Sequence, residues 1–410
     1  MKKTWLALLL AVIMSLTAFG GALADEKPEK LVLITDTACV DLYNAAGDIL
    51  YDEYGIELEI IAVAYDNMHD KITTSVLGGS QVDIVSVDSV WPSEFYHAGI
   101  TQPITGCFTE EELSNFFEGF VNEFRVDGEL VGIATMTNSK WLFYNKAYLE
   151  AAGYDHAPTT WAELSEMSQK MVDMGICKYG IAWSGLQAEG VVCEFSVLID
   201  SFGGAWQDEN GDWAFNSPEG LAALEYMVET TKNGVADPAS STYSDRVVLD
   251  PFMAGDTAFV LCWSYGYGFC NDPGNAKIAG NVDIALVPGV EGTVSGSTTG
   301  GGGLGISATT KYKEYAEAYL RIVCSDQIQR DSLTLYSNTP IARSVLAETA
   351  AEAHEFGVML EEFEYATKRP TITAYSEWSA QIQAILNQAI AGTITPQEAL
   401  DQMSAWSANY

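Results

Sequence analysis

ATMTNSKWLFYNKAYLEAAGYDHAPTTWAEL, residues 134–164, is the stretch on which the fold turns. Trp141, Leu142, Phe143 and Tyr144 form an unbroken apolar and aromatic run, which predicts a short buried strand. Asn145 and Lys146 end that run. Tyr148, Leu149, Ala151 and Ala152 predict a short helix that Gly153 stops. Thr160 and Glu163 then stand at the spacing of a capping box, in which the hydroxyl accepts a helix-end N–H and the carboxylate reaches back to the cap. Leu164, Met167, Met171 and Val172 give the second helix one apolar face, and Gly175 ends it.

The chain on either side continues the alternation. Residues 31–34 predict a strand, 39–54 a helix ended by Gly55, and 57–63 a strand. Residues 67–77 predict a helix ended by Gly78 and Gly79, and 82–87 a third strand. A β-α-β-α-β order predicts a parallel sheet with helices on its faces, and ligands of such sheets bind beyond the carboxyl ends of the strands. Asp36, Asp88 and Trp91 follow those ends. Trp183 ends a short strand over 180–183, and Trp263 and Tyr265 follow a strand over 257–261. The glycines at 300–303 lack a following Gly-Lys-Ser/Thr, which excludes a phosphate loop and leaves an ordinary loop. Residues 208–213 have some calcium-loop residue types without the full loop, so a turn between short strands is expected.

The spacing carries a resemblance. Tyr144-Asn145-Lys146, then Ala152-Gly153-Tyr154, then Pro158, Thr160, Trp161, Glu163 and Leu164 resemble the "YNK … aG … P-x-T-W-x-E-L" signature of carbohydrate-specific extracellular solute-binding proteins. These are the maltose-binding-protein-like receptors of ABC importers. GGSQVDIV (78–85), with Val82 where the family usually has Pro, and GELVGIA (128–134), with Ala134 where Pro is usual, are similar to further family segments. So are the stretch around Gly255 and Ala258, with Asp256 in place of the usual Lys, and residues 325–329, 338–340, 369–390 and 395–400. The resemblance runs over nearly the whole chain after residue 30. It implies a two-lobe α/β periplasmic-binding-protein fold. Each lobe would be a mainly parallel sheet flanked by helices, and the discontinuous lobes would be joined by hinge strands. The expected lobes are 25–134 with 301–340, and 135–300 with 341–410, with crossings near Thr135, Gly300 and Pro340, which would make the glycine run at 300–303 a hinge. The implied partners are a sugar, from mono- to oligosaccharide or a polyol, and a membrane permease. A monomer without cofactor or metal is expected.

The N-terminus reads as an export signal. Lys2 and Lys3 form a basic region, residues 6–19 an apolar one, and Ala22-Leu23-Ala24 a small-residue cleavage site. Cleavage after Ala24 would place the protein in the periplasm or outside the cell. No lipid-acceptor cysteine stands at the cut, where many relatives carry one; the first cysteine is Cys39. The formal net charge of −36 argues against nucleic-acid and anionic-membrane partners. Hydrophobic residues at 48% against 19% charged exclude disorder as the reason for that charge. None of the 7 cysteines forms a C-x-x-C pair and His numbers 4, so a zinc site is not expected. Cys177 with Cys193, and Cys262 with Cys270, read equally as bridges or as buried thiols.

Sugars present hydroxyls that pair with carboxylates and amides, and apolar ring faces that stack on aromatic side chains. The candidates for such contacts are Asp36, Asp88, Trp91, Asn138, Trp183, Trp263, Tyr265 and Trp378. Trp263 and Trp378 match positions where relatives place stacking aromatics. Each aromatic reads alternatively as core, and each Asp as a helix cap. Two rival functions remain open at this point. A glycoside hydrolase needs two carboxylates about 5 to 9.5 Å apart. A polyamine receptor would use the same carboxylates and aromatics on ammonium groups. Lys140 is the one cation near the candidates.

Overall fold

The computed structural model describes residues 27–336, 338–350 and 354–410. The expected signal segment therefore lies outside the described residues. The first sheet starts with β1 (Lys30–Asp36), β2 (Glu57–Val63) and β3 (Ile84–Asp88), all parallel, with β1 between the other two. Leu31, Val32, Leu33 and Ile34 are all buried, as expected of a strand covered on both faces. The helices Val40–Tyr54 and Tyr65–Leu77 make the crossovers. Gly55, at φ 62°, stops the first of them in the left-handed conformation that a side chain would disfavour.

Three short strands, β4 (Thr101–Gln102) and the hairpin of β5 (Arg125–Val126) with β6 (Glu129–Leu130), precede β7 (Ile133–Ser139). A single residue, Lys140, then separates β7 from β8 (Trp141–Asn145). β7 belongs to the first sheet and β8 to the second, so the chain passes between lobes at Lys140. The second sheet runs β11 (Val282–Ala285), β8, β10 (Thr257–Cys262), β9 (Tyr179–Ala182). Only β9 and β10 are parallel; β8 is antiparallel to both of its neighbours. The second lobe is thus a mixed sheet rather than the mainly parallel one expected. The pairing follows from the connections: β9 and β10 are joined by a long helical crossover, whereas β8 enters from the other lobe.

Residues 300–303 correct the sequence reading more sharply. They are not a loop. They lie inside β12 (Ser297–Ser307), the longest strand, which pairs antiparallel with β3 on one side and β7 on the other. The glycines are there because neighbours come too close for a side chain. A Cβ on Gly303 would lie 2.0 Å from the Ile133 carbonyl oxygen, and one on Gly300 would lie 2.2 Å from the Trp263 ring. β13 (Ala366–Thr367) pairs with the start of β12.

Local signals elsewhere hold with small changes. The Thr160 side chain caps the helix Trp161–Asp173, but Glu163 reaches the N–H of Thr159, one residue before the cap. Thr395 and Glu398 form a complete capping box. All seven cysteines are free thiols. Among the described residues, no helix is long and apolar enough to cross a membrane.

Three buried carboxyls hold the approach to β12. Glu123 accepts from the Thr299 hydroxyl at 2.9 Å, Asp200 from the Ser297 N–H at 3.0 Å, and Glu362 from the Val287 N–H and the Ser295 hydroxyl, each at 2.9 Å. Burial pushes Glu123 and Glu362 up to about 8 and Asp200 to about 7. These groups hold protons in the folded chain that the unfolded chain, with carboxyls near ~4, releases. Their stabilisation is complete below the unfolded value and is lost as pH rises to about 8. The apo melting temperature should therefore fall between about pH 5 and pH 8, and Glu362→Gln should make that fall shallower. Melting curves across this range check it; identical slopes in the two proteins would contradict it.

Candidate functional site: a cleft between the lobes

The carboxyl ends of β1 and β3 bring Asp36 and Asp88 to one edge of the first lobe. Asp36 caps the short 3-10 turn Thr37–Cys39 by accepting the Ala38 N–H at 2.7 Å through Oδ1. Its Oδ2 has no hydrogen-bond partner among the described residues. Asp88 accepts the Tyr65 hydroxyl at 3.0 Å and the Val90 N–H at 3.2 Å. Its Oδ1 also faces Arg369 Nη2 at 3.2 Å. Arg369 follows β13 and is 4% exposed. Its other terminal nitrogen reaches Glu189 of the second lobe at 2.6 Å. Glu189 takes further donors from Tyr375, Ser379 and Gln383, so both of its oxygens are saturated. Arg369 thus bridges the two lobes at the back of the cleft.

The second lobe supplies the facing wall from a buried charge cluster. Lys140, fully buried, donates to Glu194 at 2.6 Å and to Asp245 at 2.7 Å. Burial alone would lower the Lys140 pKa, but the Asp245 and Glu194 carboxylates reverse this and hold it above its ordinary value. Burial would likewise raise Asp245, and the Lys140 charge overcomes that and keeps its carboxyl below the ordinary value. The second oxygen of Asp245 accepts the Trp263 ring N–H at 3.0 Å. Tyr265 donates to the Asp245 backbone carbonyl at 3.3 Å. The Trp263 ring lies over Gly300, so its position is set by an N–H bond at one edge and by a glycine of β12 beneath.

Between these walls lies a cavity of 360 Å³, lined among others by Asp36, Tyr65, Asp88, Asp245, Trp263 and Tyr265. A smaller one of 240 Å³ adjoins it and includes Asn138. Five of the eight candidates therefore meet in the cleft: Asp36, Asp88, Asn138, Trp263 and Tyr265. Three do not. Trp183 is 0% exposed, donates to Thr230 and packs on Trp161 and Tyr226. Trp378 is 0% exposed, donates to Ser407 and stacks on Trp213. Both are core of the second lobe: Trp183, directly after β9, turns inward, and Trp378 lies on the buried face of the helix Tyr375–Ile390. Trp91 is 6% exposed and lies behind Tyr65, stacked on it with ring centroids 6.0 Å apart.

The cleft also holds residues that the sequence reading did not choose. Tyr65 follows the end of β2, the same strand-end signal that selected Trp91. Asp245, Glu189 and Arg369 carried no such signal, because they come from turns or helix starts far apart in the chain.

Residues 42–330 match the family described as bacterial extracellular solute-binding protein. The chain belongs to this family. Among solved structures the chain is similar to the maltose-bound T. maritima MalE3, 29% identical with a TM-score of 0.85, covering 93% of this chain and 100% of that one. A solute-binding protein from Thermotoga Lettingae TMO bound with alpha-D-tagatose has a TM-score of 0.83 at 24% identity, over 93% of this chain and 98% of that one. In sequence, a probable ABC transporter-binding protein of Deinococcus radiodurans is 27% identical over 78% of this chain and 77% of its own length. The expected two-lobe fold and family stand on these likenesses together with the two sheets.

The charge cluster makes a stability prediction. Lys140→Met leaves the buried Glu194 and the part-buried Asp245 without their cation and should cost about 3–5 kcal/mol. Lys140→Met with Glu194→Gln should recover part of the loss. Denaturant unfolding of the three proteins checks this; a single variant as stable as the parent would show the cluster to be dispensable.

Proposed function

We propose that this chain captures a sugar or polyol in the inter-lobe cleft and delivers it, without chemical change, to an ABC permease. The observation that carries the reading is Trp263. It is a half-buried aromatic at the cleft wall, held by Asp245 and by contact with Gly300, beside Tyr265 and opposite Asp36 and Asp88. An aromatic face flanked by carboxylates suits the two sides of a sugar. The maltose held by MalE3 and the tagatose held by the Thermotoga protein support the same class of ligand.

The cleft's charges weigh against both rivals. A hydrolase needs a carboxyl held protonated as a general acid, whereas Lys140 keeps Asp245 ionised and Arg369 engages Asp88 and Glu189. A polyamine receptor needs carboxylates free for ammonium groups, and in this cleft Asp88, Glu189 and Asp245 are each already engaged by Arg369 or Lys140. In this reading the chain is exported by the signal at residues 1–24, acts as a monomer, and closes about the strands β7 and β12 that cross between the lobes.

A thermal-shift screen of the purified mature protein against mono-, di- and oligosaccharides, polyols and polyamines tests the proposal. A sugar or polyol should raise the melting temperature, and polyamines should not. A polyamine response with no sugar response would overturn it. With the binding sugar in hand, Trp263→Ala should weaken affinity more than tenfold, the usual cost of losing a large interface aromatic being about 2 kcal/mol or more. An unchanged Kd per folded molecule would remove Trp263 from the site.

A further inference from the structure

The cleft has a second compartment, of 240 Å³, which shares Asp36, Tyr65, Asp88, Tyr265 and Gly301 with the larger one. Its walls are chemically different. Cys39, Met68, Val87 and Met136 line it, with backbone of the β12 glycines as one side. Burial, with Asp36 nearby, pushes the Cys39 thiol up to about 12, so it lines the wall as a neutral group.

Most polar groups of this compartment are already engaged within the protein. Ser86 pairs with Thr35 at 2.7 Å, and the Tyr43 hydroxyl with Thr135 at 3.0 Å. Asp88 is occupied by Tyr65, Val90 and Arg369. Asn138 has its oxygen taken by the Ser264 N–H at 3.0 Å. Among the described lining residues, the side-chain nitrogen and oxygen atoms without a hydrogen-bond partner are the Asn138 amide nitrogen, those of Asn338 and Asp36 Oδ2. A fully hydroxylated ring placed here would bury more hydroxyls than these few groups can pair, whereas an apolar group would bury none. Space permits one: an apolar cavity of about 150 Å³ already holds benzene.

We propose that this compartment receives an apolar aglycone, an aryl or alkyl group, while the sugar unit of the same molecule lies against Trp263 in the larger compartment. The ligand class is then a glycoside with an apolar substituent rather than a chain of hydroxylated rings. The proposal rests on the carbohydrate reading of the cleft. A polar unit and an apolar unit on one ligand match two compartments that share a wall and differ in free polar groups.

Calorimetric titration tests it with glucose, galactose, mannose and xylose, each as the free sugar and as its methyl and phenyl glycosides in both anomers. Expected is a phenyl glycoside that binds about tenfold or more tightly than the methyl glycoside of the same sugar and anomer. Met136→Gln should reduce that ratio severalfold, because it places an amide against the aryl ring. Equal affinities of phenyl and methyl glycosides, with the free sugar binding, would overturn the aglycone proposal and leave the carbohydrate reading intact. Tighter binding of the disaccharides maltose or cellobiose than of any phenyl glycoside would also overturn it. No binding by any member would overturn it together with the carbohydrate reading as applied to these sugars. The parent ratio needs no variant, so a Met136→Gln protein that fails to fold leaves the test standing.

Discussion

Strand β12 is the constraint around which this molecule is arranged. It must pair with β3 and β7 at once and also let the Trp263 ring of the other lobe lie on it. No side chain fits at Gly300 or Gly303 under those conditions. The glycines therefore serve close approach, and flexibility is not needed to explain them. Because Gly300 lies under Trp263, the ring that forms one wall of the cleft is positioned against the strand that links the lobes. Whatever presses on Trp263 bears on that strand.

Asp88, Glu189 and Asp245 at the cleft are each paired with a cation, unlike most of the protein's negative charge. A net charge of −36 describes the surface field, which would draw cations toward the molecule. Within the cleft, Arg369 and Lys140 each hold a pair of acids. These pairs orient Asp88 and Asp245 as fixed acceptors. The pairing is buried, so salt should weaken it less than it weakens the surface charge.

Some of this was legible in the chain. The β-α-β-α-β order of the first lobe, the strand at Trp141, the cap at Thr160 and the capping box at Thr395 all rest on contacts within a few residues. The strand-end rule placed Asp36 and Asp88 at the cleft for the same reason, since a parallel sheet aligns its carboxyl ends. The rule failed for Trp91 and Trp183, and the family resemblance failed for Trp378. All three are aromatics near element ends or starts, and periodicity cannot say whether such a ring turns into the core or out of it.

Local sequence thus determined the alternation of elements, their caps and one acidic edge of the cleft, because those depend on neighbours in the chain. Tertiary structure alone decided the rest. Arg369 meets Asp88 and Glu189 across separations of 281 and 180 residues, and Lys140 meets Asp245 across 105. The direction of β8 in its sheet and the burial of the glycine run in β12 likewise follow from pairings between distant segments. A charge finds its partner only when such segments pack, and no spacing along the chain records which one it will be.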